Sequence, residues 1–269
     1  MKSEVKFEGK TRRVLDSWVI ICSFVICSVG LALTVATVSA AASKDDKKDK
    51  PASGQLIDSG SFGVFVKGQR VVTEAFRIEQ QNGVSIIKSQ LNQTSGGDPT
   101  TQKSDLEVSS NGELLRYEWS QNSGDSMTVL PKNDFLIEKV MAASSAKPAE
   151  QPFLMPSTSM ILDNNFFIHR EVLTWRYLAA DCKSDGGGLK CQQGPAEFGV
   201  LVPQDRTSVR VRIELIGKEK ITVRGAEREL LRLNLTGESF EWHLWVDPQD
   251  HFKVIRVAIP ADDTEVVRD

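Results

Sequence analysis

Apolar and polar residues alternate along most of the chain after residue 55. In residues 206–216, RTSVRVRIELI, every second residue from Val209 to Leu215 is apolar, and the residues between them are charged. This period is typical of an antiparallel strand with one face buried and the other in water. The alternation recurs, more loosely in places, in eight further segments: Phe62–Val66, Val71–Ile78, Val84–Leu91, Leu106–Val108, Leu114–Trp119, Phe135–Met141, Glu229–Leu235 and Ser239–Val246.

Short turns separate these segments. Asn-Gly pairs at 82–83 and 111–112 each lie between two alternating runs, which is the strongest short-range signal for a β-hairpin. Strands joined by successive hairpins form a meander, and nothing in the chain suggests alternating strands and helices. We therefore predict a mainly β protein, with about a dozen strands in a curved antiparallel sheet of half-barrel form.

One segment, Asn164–Ala180, follows helical spacing instead. Its apolar residues at positions 167, 168, 172, 175 and 178 predict an inserted helix of about four turns. Asp163 or Asn164 is the expected N-cap. Residues 142–151, AASSAKPAEQ, are predicted to form a long surface loop within the same sheet, so residues 55–269 are predicted to form a single antiparallel β-domain.

The N-terminal region has a different character. Residues 17–43 contain no charged residue and follow a mildly basic segment. Small residues at Val38–Ala40 and at Ala40–Ala42 fit a signal-peptide cleavage site. The run is also long enough to span a bilayer, which takes about 20 residues. Residues 1–43 are therefore a signal peptide or an uncleaved membrane anchor, and residues 44–54 form a charged flexible linker.

Charge and cysteine content refine this picture. The chain has 33 basic and 36 acidic residues, so it lacks the basic excess of a nucleic-acid-binding protein. Cleavage after Ala40 would leave 28 basic and 33 acidic residues, a net charge of −5, and only two cysteines. Cys182 and Cys191 enclose a Gly-rich turn, and in an oxidising compartment they are expected to form a disulfide. No further cysteine pair or nearby histidine completes a zinc site, and we predict neither a metal nor another cofactor.

The common catalytic motifs are missing from the sequence. His169, His243 and His251 do not have metal-binding spacing, and there is no GxSxG, P-loop or GxGxxG. Residues 56–61, LIDSGS, resemble the Asp-Ser/Thr-Gly loop of aspartic proteases, which would require a homodimer sharing Asp58. The alternative is a bend early in the first strand. We predict that the protein is not an enzyme, with the retropepsin-like protease as a minor alternative.

Aromatic residues offer the most informative cluster. They lie on the predicted helix and on one C-terminal strand, where Trp242 and Trp245 must point to opposite faces because they differ by three positions. The two indoles therefore belong to different environments. Core packing accounts for most such residues, and the alternative is contact with a ligand. The candidate ligand-binding residues are Phe167, Trp175, Trp242 and Trp245.

Residues 242–260, WHLWVDPQDHFKVIRVAIP, resemble the C-terminal hairpin of bacterial lipoprotein carriers, the lipoprotein-localisation (Lol-type) superfamily. In that pattern Trp245–Asp247 end one strand, Asp250 lies in the turn and Phe252–Ile259 form the returning strand. The resemblance implies a curved sheet around an apolar hollow with the helix as a lid. The Cys182–Cys191 loop is a departure from the carriers.

These observations predict a non-enzymatic protein of the bacterial cell envelope. It is exported across the cytoplasmic membrane and is periplasmic, either soluble or held by its N-terminal segment. The expected ligand is an acyl chain or another apolar small molecule or lipid, bound in the half-barrel. The main alternative is a membrane-tethered interaction or sensor module that binds a protein partner through a sheet face.

Overall fold

One long sheet dominates the computed structural model, which describes residues 54–93, 100–184 and 189–269. The prediction of a mainly β protein with a curved sheet and one helix is confirmed. The described residues form these elements: β1 (Gln55–Val66), β2 (Gln69–Gln81), β3 (Val84–Gln93), β4 (Thr101–Ser109), β5 (Leu114–Gln121), β6 (Ser126–Lys132), β7 (Phe135–Met141), β8 (Ala149–Leu154), β9 (Met160–Ile161), α1 (Ile168–Asp181), β10 (Cys182–Ser184), β11 (Leu189–Cys191), β12 (Ala196–Val202), β13 (Thr207–Val223), β14 (Ala226–Thr236), β15 (Glu241–Asp247), β16 (Lys253–Ile259) and β17 (Thr264–Arg268).

The main sheet is an open meander whose two halves meet at β1. Its strand order is β8-β7-β6-β5-β4-β3-β2-β1-β17-β16-β15-β14-β13-β12-β9, so β1 pairs with β2 on one side and with β17 on the other. Every pair is antiparallel except β9 with β12, where Val200 lies beside Met160 in a parallel register. The predicted antiparallel sheet therefore has one short parallel edge.

The helix α1 packs against the inner face of this sheet. Ile168, Val172, Leu173 and Leu178 are buried and belong to the same apolar cluster as the inward-facing strand residues. Because one helical stripe alone does not bury nine residues of a 14-residue helix, α1 is enclosed on more than one side. The helix thus fills much of the hollow that the curved sheet forms.

The start of α1 differs from the sequence prediction. The helix begins at Ile168, its N-cap is Phe167, and neither Asp163 nor Asn164 caps it. Glu74 of β2 takes this role, because its carboxyl group accepts the backbone N–H groups of Phe167 at 2.6 Å and Ile168 at 3.2 Å. An acidic group at this position complements the positive end of the helix dipole.

Two details of the strands differ from the sequence prediction. The first strand begins at Gln55, the predicted start of the domain, and residues as early as Gln55 pair with β2. Asp58 therefore lies inside a strand, next to a register shift, and not in a bend. The predicted loop 142–151 is also shorter, since β8 starts at Ala149 and pairs with β7.

The predicted disulfide is confirmed. Cys182 and Cys191 are bonded and lie opposite each other in the small β10–β11 sheet that follows α1. The predicted signal peptide or anchor (1–43) lies outside the described residues, as does nearly all of the predicted linker (44–54). Among the described helices, none combines the length and apolar character needed to cross a bilayer.

The Glu74 cap makes stability depend on pH. Burial raises the pKa of Glu74 to about 7, although hydrogen bonds from Ser89 and the helix N-terminus oppose the rise. The unfolded chain loses this proton near the ordinary carboxyl pKa, whereas the folded chain keeps it up to about pH 7. Between those values the free energy of unfolding should fall by about 1.4 kcal/mol per pH unit for this one proton.

We expect Glu74→Gln to remove that dependence. In urea unfolding from about pH 5 to about pH 8, the free energy of unfolding of the wild type should fall relative to that of the variant as the pH rises. Glu79→Gln, on the opposite face of the same strand, is the control and should follow the wild type. Parallel pH curves for the wild type and Glu74→Gln would contradict the prediction.

Candidate functional site

A cleft of about 310 Å³ lies between α1 and the inner face of strands β1 to β4. Its wall is mostly apolar, and its rim carries polar side chains of Gln80, Ser85, Asn111 and Arg176. The apolar residues that line it are Ile57, Ile78, Ile87, Val108, Met160, Val172, Trp175 and Ala179.

Sequence periodicity explains why these residues meet. The alternation of β2, β3 and β4 turns Ile78, Ile87 and Val108 to the inner face, where all three are buried. On α1, Val172, Trp175 and Ala179 are separated by three and four positions and so share one stripe of the helix. The cleft is the space left where this stripe faces the sheet.

The indole of Trp175 is held in place at the cleft wall. Its Nε1–H donates to the backbone carbonyl of Phe252 at 3.1 Å, and the ring is half-buried. Ile57 lies at the mouth, with 40% of its surface exposed. An apolar wall with a few polar groups at the rim is typical of a small-molecule site.

Arg176 connects the helix to the turn between β4 and β5. Its Nη1 donates to the carbonyl oxygen of Gly112, and both residues line the cleft. Gly112 has a φ of +73°, and a Cβ atom there would lie 2.5 Å from Nη1 of Arg176. Another residue here would strain the backbone and displace the end of the Arg176 side chain.

The structure brings only one of the four predicted ligand-binding residues to the cleft. Trp175 lines it, whereas the ring centres of Phe167 and Trp242 lie 4.9 Å and 4.5 Å from the central guanidinium carbon of the buried Arg170. These two rings provide cation–π contacts to an internal charge.

Trp245 points to the other face of the sheet, as its three-residue separation from Trp242 predicts. It is buried in a second apolar cluster with Ile221, Val223, Leu230 and Ile255. Its Nε1–H donates to Glu219 at 3.0 Å. Trp245 is thus a core residue of the outer face, away from the cleft.

Sequence analysis missed a network of buried polar groups at the start of α1. Tyr117 and Gln204 both donate to the carboxylate of Asp163, and Arg170 donates to the backbone carbonyl of Asp163. Burial and, to a smaller extent, the Arg170 charge lower the pKa of His169 to about 3. The histidine is therefore neutral, and its Nδ1 accepts the backbone N–H of Asp163 at 3.4 Å.

A second buried network joins α1 to the strands β1, β16 and β17. Arg268 Nη2 bridges Glu171 at 2.6 Å and Asp58 at 2.8 Å, and Lys253 lies 3.3 Å from Asp58. Burial raises the pKa of Glu171 to about 8, against the attraction of Arg268. Burial alone would raise the pKa of Asp58 as well, but hydrogen bonds from Arg268 and Glu171 outweigh it and lower that pKa.

These contacts bear on the protease hypothesis. Asp58 is 4% exposed, and its carboxylate is ion-paired with two cations of the same chain. An aspartic protease instead uses two carboxylates that share a proton and activate water. The hypothesis stays a prediction, and the surroundings of Asp58 favour a structural role.

Comparisons with protein-family models, with curated proteins and with solved structures return no match to this chain. The resemblance to lipoprotein carriers therefore stays a prediction from residues 242–260. In the part of the chain that the structure describes, no group of three or more His, Cys, Asp or Glu side chains could hold a metal ion.

The contact between Gly112 and Arg176 leads to a test of the cleft rim. We expect Gly112→Ala to lower the free energy of unfolding by about 1 kcal/mol through backbone strain, and by about 1 kcal/mol more through loss of the Arg176 hydrogen bond. Gly68→Ala is the matched control, since Gly68 has a φ of +78° with nothing within 4 Å of the added Cβ. Equal losses for both variants in urea unfolding would show that the Arg176 contact contributes nothing.

Proposed function

We propose that this protein is a non-enzymatic component of the bacterial cell envelope that binds an acyl chain or another apolar group in the cleft beside α1. The cleft itself carries the proposal, because it is an opening of about 310 Å³ that reaches the buried inner face of the sheet. Proteins use spaces of this size, with apolar walls and polar rims, for small ligands.

Affinity for such a ligand needs no catalytic group. Burial of apolar surface contributes about 25 cal/mol for each Å² removed from water, so a chain enclosed by Ile78, Ile87 and Val108 would be held by the hydrophobic effect. The exposed side chain of Ile57 at the mouth would also be covered.

The sequence features agree with this role. The predicted export signal places the domain outside the cytoplasm, and the hairpin at residues 242–260 resembles that of lipoprotein carriers. In such carriers the helix is expected to cover an apolar hollow. Here α1 fills most of the hollow, and the proposed ligand site is the part it leaves open at Trp175 and Ala179.

Blocking the mouth of the cleft tests this function. Ala179 and Ala180 are both exposed at the end of α1, but only Ala179 lines the cleft. We expect full-length protein to bind dodecan-1-ol, and Ala179→Trp to weaken that binding by about tenfold or more. Titration calorimetry measures the affinity.

Ala180→Trp is the control and should bind as the wild type does. It also accounts for any alcohol bound by the apolar N-terminal segment, which both variants retain. Absence of binding to the wild type, or equal binding by the two variants, would overturn the proposed function.

A specific observation favours a second candidate, the protein-binding module. An apolar patch lies on the outer face of the strands β6 to β8, at one edge of the sheet. Phe135 pairs directly with Leu154, which is 77% exposed, and Leu130 pairs with Ile137 on the same face. Exposed apolar patches beside a sheet edge are common sites of protein association.

Photocrosslinking tests the second candidate. A photoreactive residue at position 154 should give one defined adduct with another envelope protein in intact cells, because the patch would lie in the interface. The same residue at position 210, on the outer face of β13, should give none. Adducts at both positions, or at neither, would count against the module.

A further inference from the structure

Arg176, at the rim of the cleft, forms no ion pair with any carboxylate of the described residues. Among the described arginines, ten have a carboxylate within 4.0 Å, and Arg170, Arg176 and Arg224 do not. Arg170 instead contacts two aromatic rings. Arg176 is half-buried, and its contact with the Gly112 carbonyl uses one of the five N–H donors of a guanidinium.

A half-buried charge without a counter-ion costs free energy. Burial lowers the pKa of Arg176, and the nearby Glu113 only partly opposes this. A charge in such surroundings gains from an anion that enters from solvent and accepts its free N–H groups. Arg176 thus offers N–H donors to an anion, and among the described residues no carboxylate lies close enough to form an ion pair with it.

The Arg176 guanidinium lies at one end of the apolar wall of the cleft. Arg176 lies against Asn111 and Gly112 at one end of the cleft, and Ile78, Ile87 and Val108 line the interior. A ligand that contacts both Arg176 and the apolar interior has a charged head at the rim and an apolar chain inside. One chain is expected, because about 310 Å³ is at the lower end of the range for ligand sites.

Glu113 limits how much negative charge the head of a ligand at Arg176 can carry. This residue acts on Arg176 electrostatically, so it would also repel an anion bound there. A carboxylate carries one negative charge and two oxygens that match the fork of a guanidinium, whereas a phosphate monoester carries more charge and is repelled more strongly.

We propose that the cleft binds a single-chain carboxylic acid, with the carboxylate on Arg176 and the chain against Ile78, Ile87 and Val108. This inference rests on the proposed function, because it assumes that the cleft is the ligand site. It adds the chemical class of the ligand and assigns Arg176 as the residue that selects it.

The experiment compares dodecanoate with dodecan-1-ol, which have chains of equal length and different heads. We expect the full-length wild type to bind dodecanoate more tightly, and Arg176→Gln to reduce the ratio of the two affinities by about tenfold. Arg176→Lys should keep part of the preference, because it keeps the charge. Arg210→Gln, an exposed arginine of β13, is the control and should leave the ratio unchanged.

A measurement on the wild type alone covers the case in which Arg176→Gln does not fold. Added salt should weaken the binding of dodecanoate and not that of dodecan-1-ol, because only the first uses a charge interaction. Equal affinity for the two ligands, or an unchanged ratio in Arg176→Gln, would overturn the assignment of Arg176 and leave the proposed function standing. Binding of neither ligand would overturn the proposed function itself. Tighter binding of dodecyl phosphate than of dodecanoate would overturn the carboxylate assignment in favour of a phosphate head.

Discussion

Three consecutive ionisable residues, His169, Arg170 and Glu171, are buried at the start of α1, and a buried charge costs several kcal/mol unless it is paired. Each of the three side chains is stabilised in a different way. The histidine is neutral, the arginine contacts two aromatic rings and donates to backbone carbonyls, and the glutamate is bound by Arg268. Trp242 and Arg268 come from one half of the sheet, and Glu74, which binds the helix N-terminus, comes from the other, so both halves must be in place for these contacts to form.

This requirement explains the unequal packing of the two ends of α1. The first turns are fixed by Glu74, Asp163 and Arg268, which leave little freedom for the helix to shift. The later turns make fewer polar contacts: Trp175 and Arg176 donate to backbone carbonyls, and the Tyr177 hydroxyl accepts the backbone N–H of Leu215. The cleft lies beside this less constrained end, in the space between the helix and the sheet. Polar contacts at one end thus determine where an apolar opening remains at the other.

The sequence was informative wherever a feature depends on neighbouring residues. Local patterns predicted several features correctly: alternation and Asn-Gly turns predicted the strands, helical spacing predicted the single helix, the nearby cysteines predicted the disulfide, and strand periodicity predicted the opposite orientations of Trp242 and Trp245. The N-cap of α1 could not be predicted in this way, because Glu74 lies 93 positions before Phe167. Similarly, Asp58 was predicted to lie in a bend, because its partners Arg268 and Lys253 are distant in the sequence. Of the candidate ligand residues, only the three-dimensional packing separates Trp175 at the cleft from Phe167 and Trp242 around Arg170.

The pairing of β1 with β17 has a consequence for how this domain acquires its structure. It joins residues about two hundred positions apart, as in the contact between Ser61 and Asp269, and contacts of such separation form slowly because a long loop must close first. A chain that emerges from a ribosome or a translocation channel with its N-terminus first would present β1 long before its partner exists. Until then, β1 and β16 would each have an unpaired edge in the middle of the future sheet, where another strand could bind. Protection of these two edges during synthesis is therefore as much a requirement of this fold as the packing of its finished core.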